Sequence, residues 1–565
     1  MFLKELSRFF TQNRTFYCYL ILSVWIFLLI AGMYKYIGIT NPGNSLNFLN
    51  TKQMYAALSP ADESLKLKRY KQYCTPVDSL VRKDDGGLLE GWKLQGVLLV
   101  IRHGDRGPMS HVKGISSINC GTENDSLLSR YKTFLQNVTS PSSSNHMYWN
   151  KIGPFHGFAL LPPNEKSCLL MQLTYKGISQ LLHIGEIFHQ VYAHPLGLLH
   201  KPQSTSSKST INSTPHAYLN SDEVVVYTTR YRRTFQSAMA LLYTFLPTEK
   251  WISLNIRESH SMSFCFSDCA CPEVDELRKR SSRFVKTQLS QHSVVSAVVQ
   301  WLGQLLLHHT SNGMTSAYDV RDAVLALLCH DAPLPCKKSK SKDAKSPITI
   351  SPPTTLDLSD VINIDQEDTA GNVIQGSDTM DREEGESQSE GCIENSHISA
   401  LMSFTNWLSG KEARQKYYKR TGLLRAYGLI RHIVGYMLKM ISGDRTKFVL
   451  YSGHDWTMQF LTAAFGIHTE TTFIPYASRM AFEVYKSESH TEYYFRVIYN
   501  GRDVTQQIDF CEGGKSLRVS RDSRGNKADL CPIENIIRFI HDDYFGPLNA
   551  TNFKDACTIQ SFSEF

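Results

Sequence analysis

The chain has 565 residues, 42% of them hydrophobic and 20% charged, with a formal net charge of +7 at pH 7. That length far exceeds one minimal hydrophobic core and suits one large domain or several. The charge excess calls for no nucleic-acid partner, and the absence of an internal repeat excludes a repeat array.

Near the N-terminus, FYCYLILSVWIFLLIAGMY carries no charge from Phe16 to Tyr34. At about 1.5 Å per residue such a run crosses a hydrocarbon layer roughly 27–30 Å thick, which predicts a transmembrane helix over 15–36. A cleaved signal peptide is the rival reading, but its apolar part is usually only about 7–15 residues and ends in small residues, which are not evident here. Lys4, Arg8 and Arg14 precede the run and only Lys35 follows it closely. The positive-inside bias therefore predicts a cytoplasmic tail over 1–14 and a lumenal remainder. The short span suits the thin early secretory membranes. Residues 37–94 are polar and weakly periodic and read as a stem.

The run VLLVI from Val97 to Ile101 opens a catalytic domain expected over 95–565. It is short, continuous and rich in β-branched residues, which predicts a strand buried on both faces of a mostly parallel sheet; Val224 to Tyr227 and Phe448 to Tyr451 read the same way. Helices are expected between them. In LTYKGISQLLHIGEIFHQVY, Ile178, Leu181, Leu182, Phe188 and Val191 share one face behind an N-cap at Thr174; Phe235, Ala238, Leu242 and Phe245 repeat the pattern. Residues 203–214 read as a loop. The segment 337–395 passes from lysine-rich to acidic, and 355–390 hold eleven acidic side chains against the single Arg382. Such a block cannot bury enough apolar surface to offset its ordering entropy, so an exposed insert is expected, with Cys392 tethering its far end. RMAFEVY and YYFRVIYNGRDV read as extended segments, the second closing at an Asn500-Gly501 turn.

Cys18 lies in the apolar run, and twelve further cysteines follow from Cys74 to Cys557. An oxidising lumen would pair them. Metal ligation by Cys265, Cys269 and Cys271 is the alternative, but the familiar zinc spacings are absent. Sequons at Asn124, Asn137, Asn212 and Asn549 permit glycosylation.

Each of the three apolar runs stops at residues able to do chemistry: RHGDR, TTRYRRT and SGHD. In open parallel sheets ligands bind beyond the carboxyl ends of the strands, so the three segments are expected in one crevice. Arg102, Arg106 and Arg233 offer forks of donors that match a tetrahedral oxyanion and keep their charge at any working pH. Positive neighbours lower the pKa of His103, which leaves it neutral and nucleophilic in mild acid. Gly104 gives the backbone room, and Pro108 fixes the exit. Asp455, beside His454, is the available acid for a departing alcohol, and a bound phosphate would raise its pKa.

This constellation resembles the histidine acid phosphatases, the RHGxRxP branch of the phosphoglycerate-mutase-like superfamily. Arg102, His103, Gly104, Arg106 and Pro108 match the first motif, Arg233-Thr234 the middle arginine, His454-Asp455 the late HD pair, and Leu173 to Gln180 the LTxxGxxQ pattern. The resemblance implies a nucleophile at His103, a proton donor at Asp455, and phosphate binding by Arg102, Arg106, Arg233 and His454. It also implies an α/β fold, a mostly parallel central sheet flanked by helices under a smaller helical cap, with no metal and no cofactor. Where the family tends to place acids before the middle arginine, this chain has Arg230 and Arg232, so a more basic pocket is expected. The N-terminal anchor is the topology of Golgi glycan-processing enzymes. With FCFSDCACP, ALLCHDAPLPC and RTFQSAMALLYTFLP it implies a Golgi membrane enzyme acting on the phosphorylated xylose of the proteoglycan linkage tetrasaccharide, beside a linkage-region glycosyltransferase. A broad lumenal acid phosphatase and a catalytically silent glycan-binding or enzyme-binding protein are the alternatives. The signatures of cysteine phosphatases and metallophosphatases are absent.

Overall fold

The computed structural model describes residues 68–559, with breaks at 76–82, 87–88, 123–124, 141–152, 156, 200–222, 253, 267–268, 309–314, 337–390, 468–472 and 522–526. The expected tail, transmembrane helix and loop 203–214, and nearly all of the insert, lie outside the described residues, as do Asn124 and Asn212. No helix among the described residues is long and apolar enough to cross a membrane.

Among the described residues, nine strands form one mixed sheet: β1 Trp92–Arg102, β2 Val224–Thr229, β3 Ile256–Ser259, β4 Phe448–Gly453, β5 Arg479–Ser487, β6 Tyr493–Tyr499, β7 Arg502–Asp503, β8 Leu517–Ser520 and β9 Lys527–Pro532. Their order is β3-β2-β4-β1-β5-β6-β9-β8, with β7 on β6. The three predicted apolar runs are adjacent and parallel, but the expectation of a mostly parallel sheet is corrected: the β5, β6, β7 and β9 pairings are antiparallel. The reason is local. Only Glu488–Glu492 separates β5 from β6, and so short a link permits only a hairpin. Asn500 and Gly501 both take positive φ (46° and 78°), as a tight turn between β6 and β7 requires.

The apolar runs are continuous because helices cover both faces of the sheet. Val97, Leu99 and Ile101 of β1 pack toward α1 Ser126–Thr139, α2 Tyr175–Phe188 and α3 Arg232–Phe245. Leu98 and Val100 pack on the opposite side, toward α8 Lys416–Ile441 and α9 Asp455–Phe465. Each such side chain contributes roughly 1.5–3 kcal/mol by leaving water. Thr174 caps α2 by accepting the Gly177 N–H, and all the predicted α2 and α3 face residues are buried.

Four helices, α4 Pro272–Gln291, α5 Ser293–Leu306, α6 Ala317–Leu328 and α7 Asn395–Ala413, surround a separate apolar cluster and form the helical cap. The twelve cysteines pair as Cys74–Cys329, Cys120–Cys168, Cys265–Cys269, Cys271–Cys557, Cys336–Cys392 and Cys511–Cys531, which sets aside a metal at the FCFSDCACP cluster. Cys336 and Cys392 bracket the insert. Within the expected stem 37–94, Tyr70 and Cys74 are buried in the cap cluster, and Asp85 is fully buried against Arg479, 2.7 Å from its Nη2. Asn137 and Asn549 are exposed.

Candidate active site

Three motif segments leave three neighbouring parallel strands at the same edge. Arg102, the last residue of β1, stands opposite Gly453 of β4, and Thr228 of β2 stands opposite Ser452. RHGDR, TTRYRRT and SGHD therefore converge as predicted. The backbone fixes the convergence, since the His103 N–H donates to the Gly453 carbonyl at 3.0 Å and the His103 carbonyl accepts from the Ala477 N–H at 3.1 Å.

The LTxxGxxQ pattern backs the His103 loop through Thr174, Gly177 and Gln180. Gly104 and Gly177 touch so closely that a Cβ on Gly104 would lie 2.3 Å from the Gly177 carbonyl oxygen, and one on Gly177 would lie 2.3 Å from that of Asp105. Gln180 accepts the Asp105 N–H at 2.8 Å, and its amide donates to the Cys74 carbonyl at 2.9 Å. Thr174 Oγ1 donates to Asp105 Oδ2 at 2.5 Å, and His330 Nε2 from the cap lies 2.9 Å from the same oxygen. Burial alone would raise the Asp105 pKa, but His330, with Lys176 and the Thr174 hydroxyl, holds it below the usual carboxylate range.

His103 is almost fully buried, and its Nδ1 lies 2.8 Å from the Gly104 carbonyl oxygen. A carbonyl only accepts, so Nδ1 carries the proton and Nε2 presents its lone pair. Burial, then Arg233, Arg102, His454 and Arg106, push its pKa well below the ordinary histidine value. The ring stays neutral in acid.

The arginines are held by different means. Arg102 donates to the Ile474 carbonyl, places Nη2 3.2 Å from Asp455 Oδ2, and lies 4.2 Å from the Tyr476 ring centroid. Arg106 pairs with Asp322 of α6 at 3.0 Å. That carboxylate also accepts the Met109 N–H at 2.7 Å, which ties the cap to the loop. Arg233, from the first turn of α3, lies 4.5 Å from the Tyr231 ring centroid; burial and Arg106 lower its pKa to about 10, so it stays charged at working pH. Arg230 and Arg232 do not join this group: both are exposed, and Arg230 lies 3.6 Å from Glu258 on β3. The expected extra basicity is thus partly neutralised beside the pocket.

His454 caps α9, accepting the Thr457 N–H, while its Nε2 lies 3.0 Å from Thr229 Oγ1. Its ring is 5.6 Å from that of His103, and burial followed by Arg233 lowers its pKa to about 3. Asp455 follows at the first helical position. Burial would raise its pKa, but Arg102 and Arg106 outweigh that effect and hold it below the carboxylate range. Its side chain is 30% exposed against 1% for that of Arg102, so Asp455 is the open edge of the group.

All six predicted site residues lie at this one edge of the sheet. A buried neutral imidazole with a free Nε2, three guanidinium groups and a carboxyl at the mouth can bind a tetrahedral oxyanion, attack its centre and return a proton to a departing oxygen. Sequence reasoning passed over Asp105, Asp322, His330 and Tyr476. Asp105 sat inside the quoted motif and His330 inside ALLCHDAPLPC, whereas Asp322 and Tyr476 give no local signal.

Among protein families, the Histidine phosphatase superfamily (branch 2) matches residues 93–500. A Xenopus tropicalis protein named 2-phosphoxylose phosphatase 1 is 27% identical over 500 residues, covering 86% of this chain and 81% of its own. Its Homo sapiens namesake is 24% identical over 509 residues, covering 87% and 86%. Among solved structures, the phytase from D. castellii overlays with a TM-score of 0.43 at 12% identity, covering 91% of this chain and 93% of its own.

Proposed function

Because this chain belongs to the Histidine phosphatase superfamily, branch 2, we propose that it removes the 2-phosphate from xylose in the glycosaminoglycan–protein linkage region, through a phosphohistidine at residue 103. The observation that carries the chemistry is the arrival of His103, Arg102 and Asp455 from two adjacent parallel strands, with Arg102 Nη2 3.2 Å from Asp455 Oδ2. The names and coverage of the relatives support the substrate.

In the first step Nε2 of His103 forms a bond to phosphorus as the bond to the sugar oxygen breaks, and that oxygen takes the proton of Asp455. Arg102, Arg106 and Arg233 hold the equatorial oxygens, whose negative charge they match in a site from which water is largely excluded. His454 joins them by exchanging Thr229 Oγ1 for a phosphate oxygen. Without substrate Asp455 is held ionised; an arriving phosphate competes for Arg102 and adds negative charge, so the carboxyl takes up the proton it later donates. In the second step Asp455, now a carboxylate, draws a proton from water, which attacks phosphorus and releases His103 and inorganic phosphate. The N-terminal apolar run anchors the enzyme in the Golgi membrane with its catalytic domain in the lumen, where a linkage-region glycosyltransferase supplies or extends the acceptor.

His103→Ala should lower turnover by at least ~10⁴-fold while leaving the melting temperature near that of the parent. Reactions with ³²P-labelled substrate quenched in alkaline detergent should carry acid-labile, base-stable label on residue 103. Label elsewhere, or full activity in the variant, removes the mechanism. Equal kcat/KM for a phosphoxylosylated acceptor and a generic aryl phosphate removes the substrate assignment.

A further inference from the structure

Five of the nine large apolar side chains that the described residues leave exposed, Met109, Met171, Tyr231, Met262 and Trp456, flank the phosphate-site segments. Single exposed apolar residues are ordinary, but five of nine whose backbones join or adjoin the segments carrying the site residues are not. Tyr231 and Trp456 are 41% and 46% exposed, and both are built into the site. The Tyr231 ring stands edge-on to His454 at 5.0 Å, with the Arg233 guanidinium 4.5 Å from its centroid. Trp456 follows the acid directly; its backbone N–H donates to Asp455 Oδ1 at 2.9 Å, and its ring lies 6.4 Å from Phe460. The Met262 carbonyl accepts from Thr457 Oγ1 at 2.6 Å, which fixes a further apolar side chain beside the start of α9.

A leaving oxygen must come within hydrogen-bond reach of Asp455, the open edge of the site. The group behind that oxygen then meets whatever borders Asp455 and Arg233. An extended, purely ionic substrate would gain nothing from two exposed aromatic rings there. A pyranose would gain, because its faces are rows of C–H groups that lie against an aromatic ring while its hydroxyls stay at the rim, beside Arg230 and Arg232. We propose that Tyr231 and Trp456 form a platform for the pyranose that carries the phosphate and for its neighbour, and that this platform selects a phosphorylated oligosaccharide over acyclic phosphomonoesters. The inference rests on the assignment of His103 and Asp455 and refines the leaving-group class. Covering about 50 Å² of apolar surface on each ring corresponds to about tenfold in affinity.

The test compares kcat/KM for a 2-phosphoxylosyl oligosaccharide with that for glycerol phosphate in the parent, Tyr231→Ala, Trp456→Ala and Trp456→Phe proteins. The ratio should fall about tenfold in each alanine variant, chiefly through KM for the oligosaccharide, and should be largely kept in Trp456→Phe. Folded variants whose ratio stays within about twofold of the parent, or which lose both substrates in parallel, overturn the platform. A parent enzyme that cleaves glycerol phosphate but not the phosphoxylosyl substrate overturns the xylose assignment instead. The platform is then decided by whether other pyranose phosphates are preferred to glycerol phosphate, and whether both alanine variants abolish that preference.

Discussion

Gly177→Ala tests whether the position of the nucleophile loop depends on the helix behind it. The added Cβ would lie 2.3 Å from the Asp105 carbonyl oxygen, 2.8 Å from its nitrogen and 2.9 Å from Leu173 Cδ1, where ordinary contact begins at 3.4 Å. The shortfall is 3.4 − 2.3 = 1.1 Å, and backbone atoms supply most of it. Helix α2 cannot easily give way, because Ile178, Leu181 and Leu182 are fully buried behind it. The loop carrying His103 and Arg106 must move instead. A misplacement of about 1 Å costs on the order of 10²-fold in rate, and overpacking costs about 1–3 kcal/mol in stability. Steady-state kinetics well below the melting transition should therefore show kcat/KM down about 100-fold with a modestly lowered melting temperature. Gly435→Ala is the control. Nothing lies within 4 Å of its Cβ position in α8, so activity should be unchanged and stability should rise by up to about 1 kcal/mol. A Gly177→Ala enzyme with activity within about threefold of the parent would refute this account of loop positioning.

Asp455→Asn should cost on the order of 10²–10⁴-fold for a sugar or alkyl leaving group and far less for an activated phenol; equal losses across a leaving-group series would remove Asp455 as the acid. Acid should also weaken the fold above the carboxylate range. His103, His397, His432 and His454 all have folded pKa values lowered by burial first, the last two to about 4 and about 3. The unfolded chain therefore binds more protons below its histidine pKa of about 6.5, and each fully engaged histidine removes about 1.4 kcal/mol per pH unit as pH falls toward its folded value. Asp105 and Asp455, with depressed values, contribute losses only at lower pH. Denaturant melts between pH 7 and 4.5 should show this slope, and a flat profile contradicts it. A fragment beginning at residue 95 should fail to fold where one beginning at residue 68 succeeds. It lacks Asp85, which faces Arg479, the Asp84 carbonyl that accepts from Arg496 at 2.7 Å, and the Cys74 partner of Cys329. Breaking a buried ion pair alone costs about 3–5 kcal/mol. Equal melting temperatures for the two fragments would contradict this.

The parallel half of the sheet and the site at its edge were legible because both signals are local. VLLVI running into RHG states in one stretch that a doubly covered strand ends at a charged pocket, and two similar stretches repeat the statement. The antiparallel half was legible only as extended segments, since strand order depends on link length and partner choice. Asp322 reads as a polar position on an amphipathic helix, and its pairing with Arg106 across 216 residues leaves no trace in the local pattern. Asp85, in a polar DDGG stretch, reads as linker; it is buried because Arg479, 394 residues away, neutralises it. Arg230 and Arg232 illustrate the opposite error. They have the composition of a basic pocket, but the backbone turns them out to solvent.

The bond between Cys336 and Cys392 brings two Cα atoms within 3.8 Å of each other across 56 positions of chain. Loop-closure entropy rises only slowly with length, by roughly 0.6 kcal/mol per doubling, so the stapled stub makes the catalytic body nearly indifferent to what is spliced between its ends. The enzyme thus carries a ready socket for foreign cargo. A compact module with adjacent termini, a fluorescent reporter or an affinity handle, grafted there should leave the melting temperature and turnover of the parent unchanged.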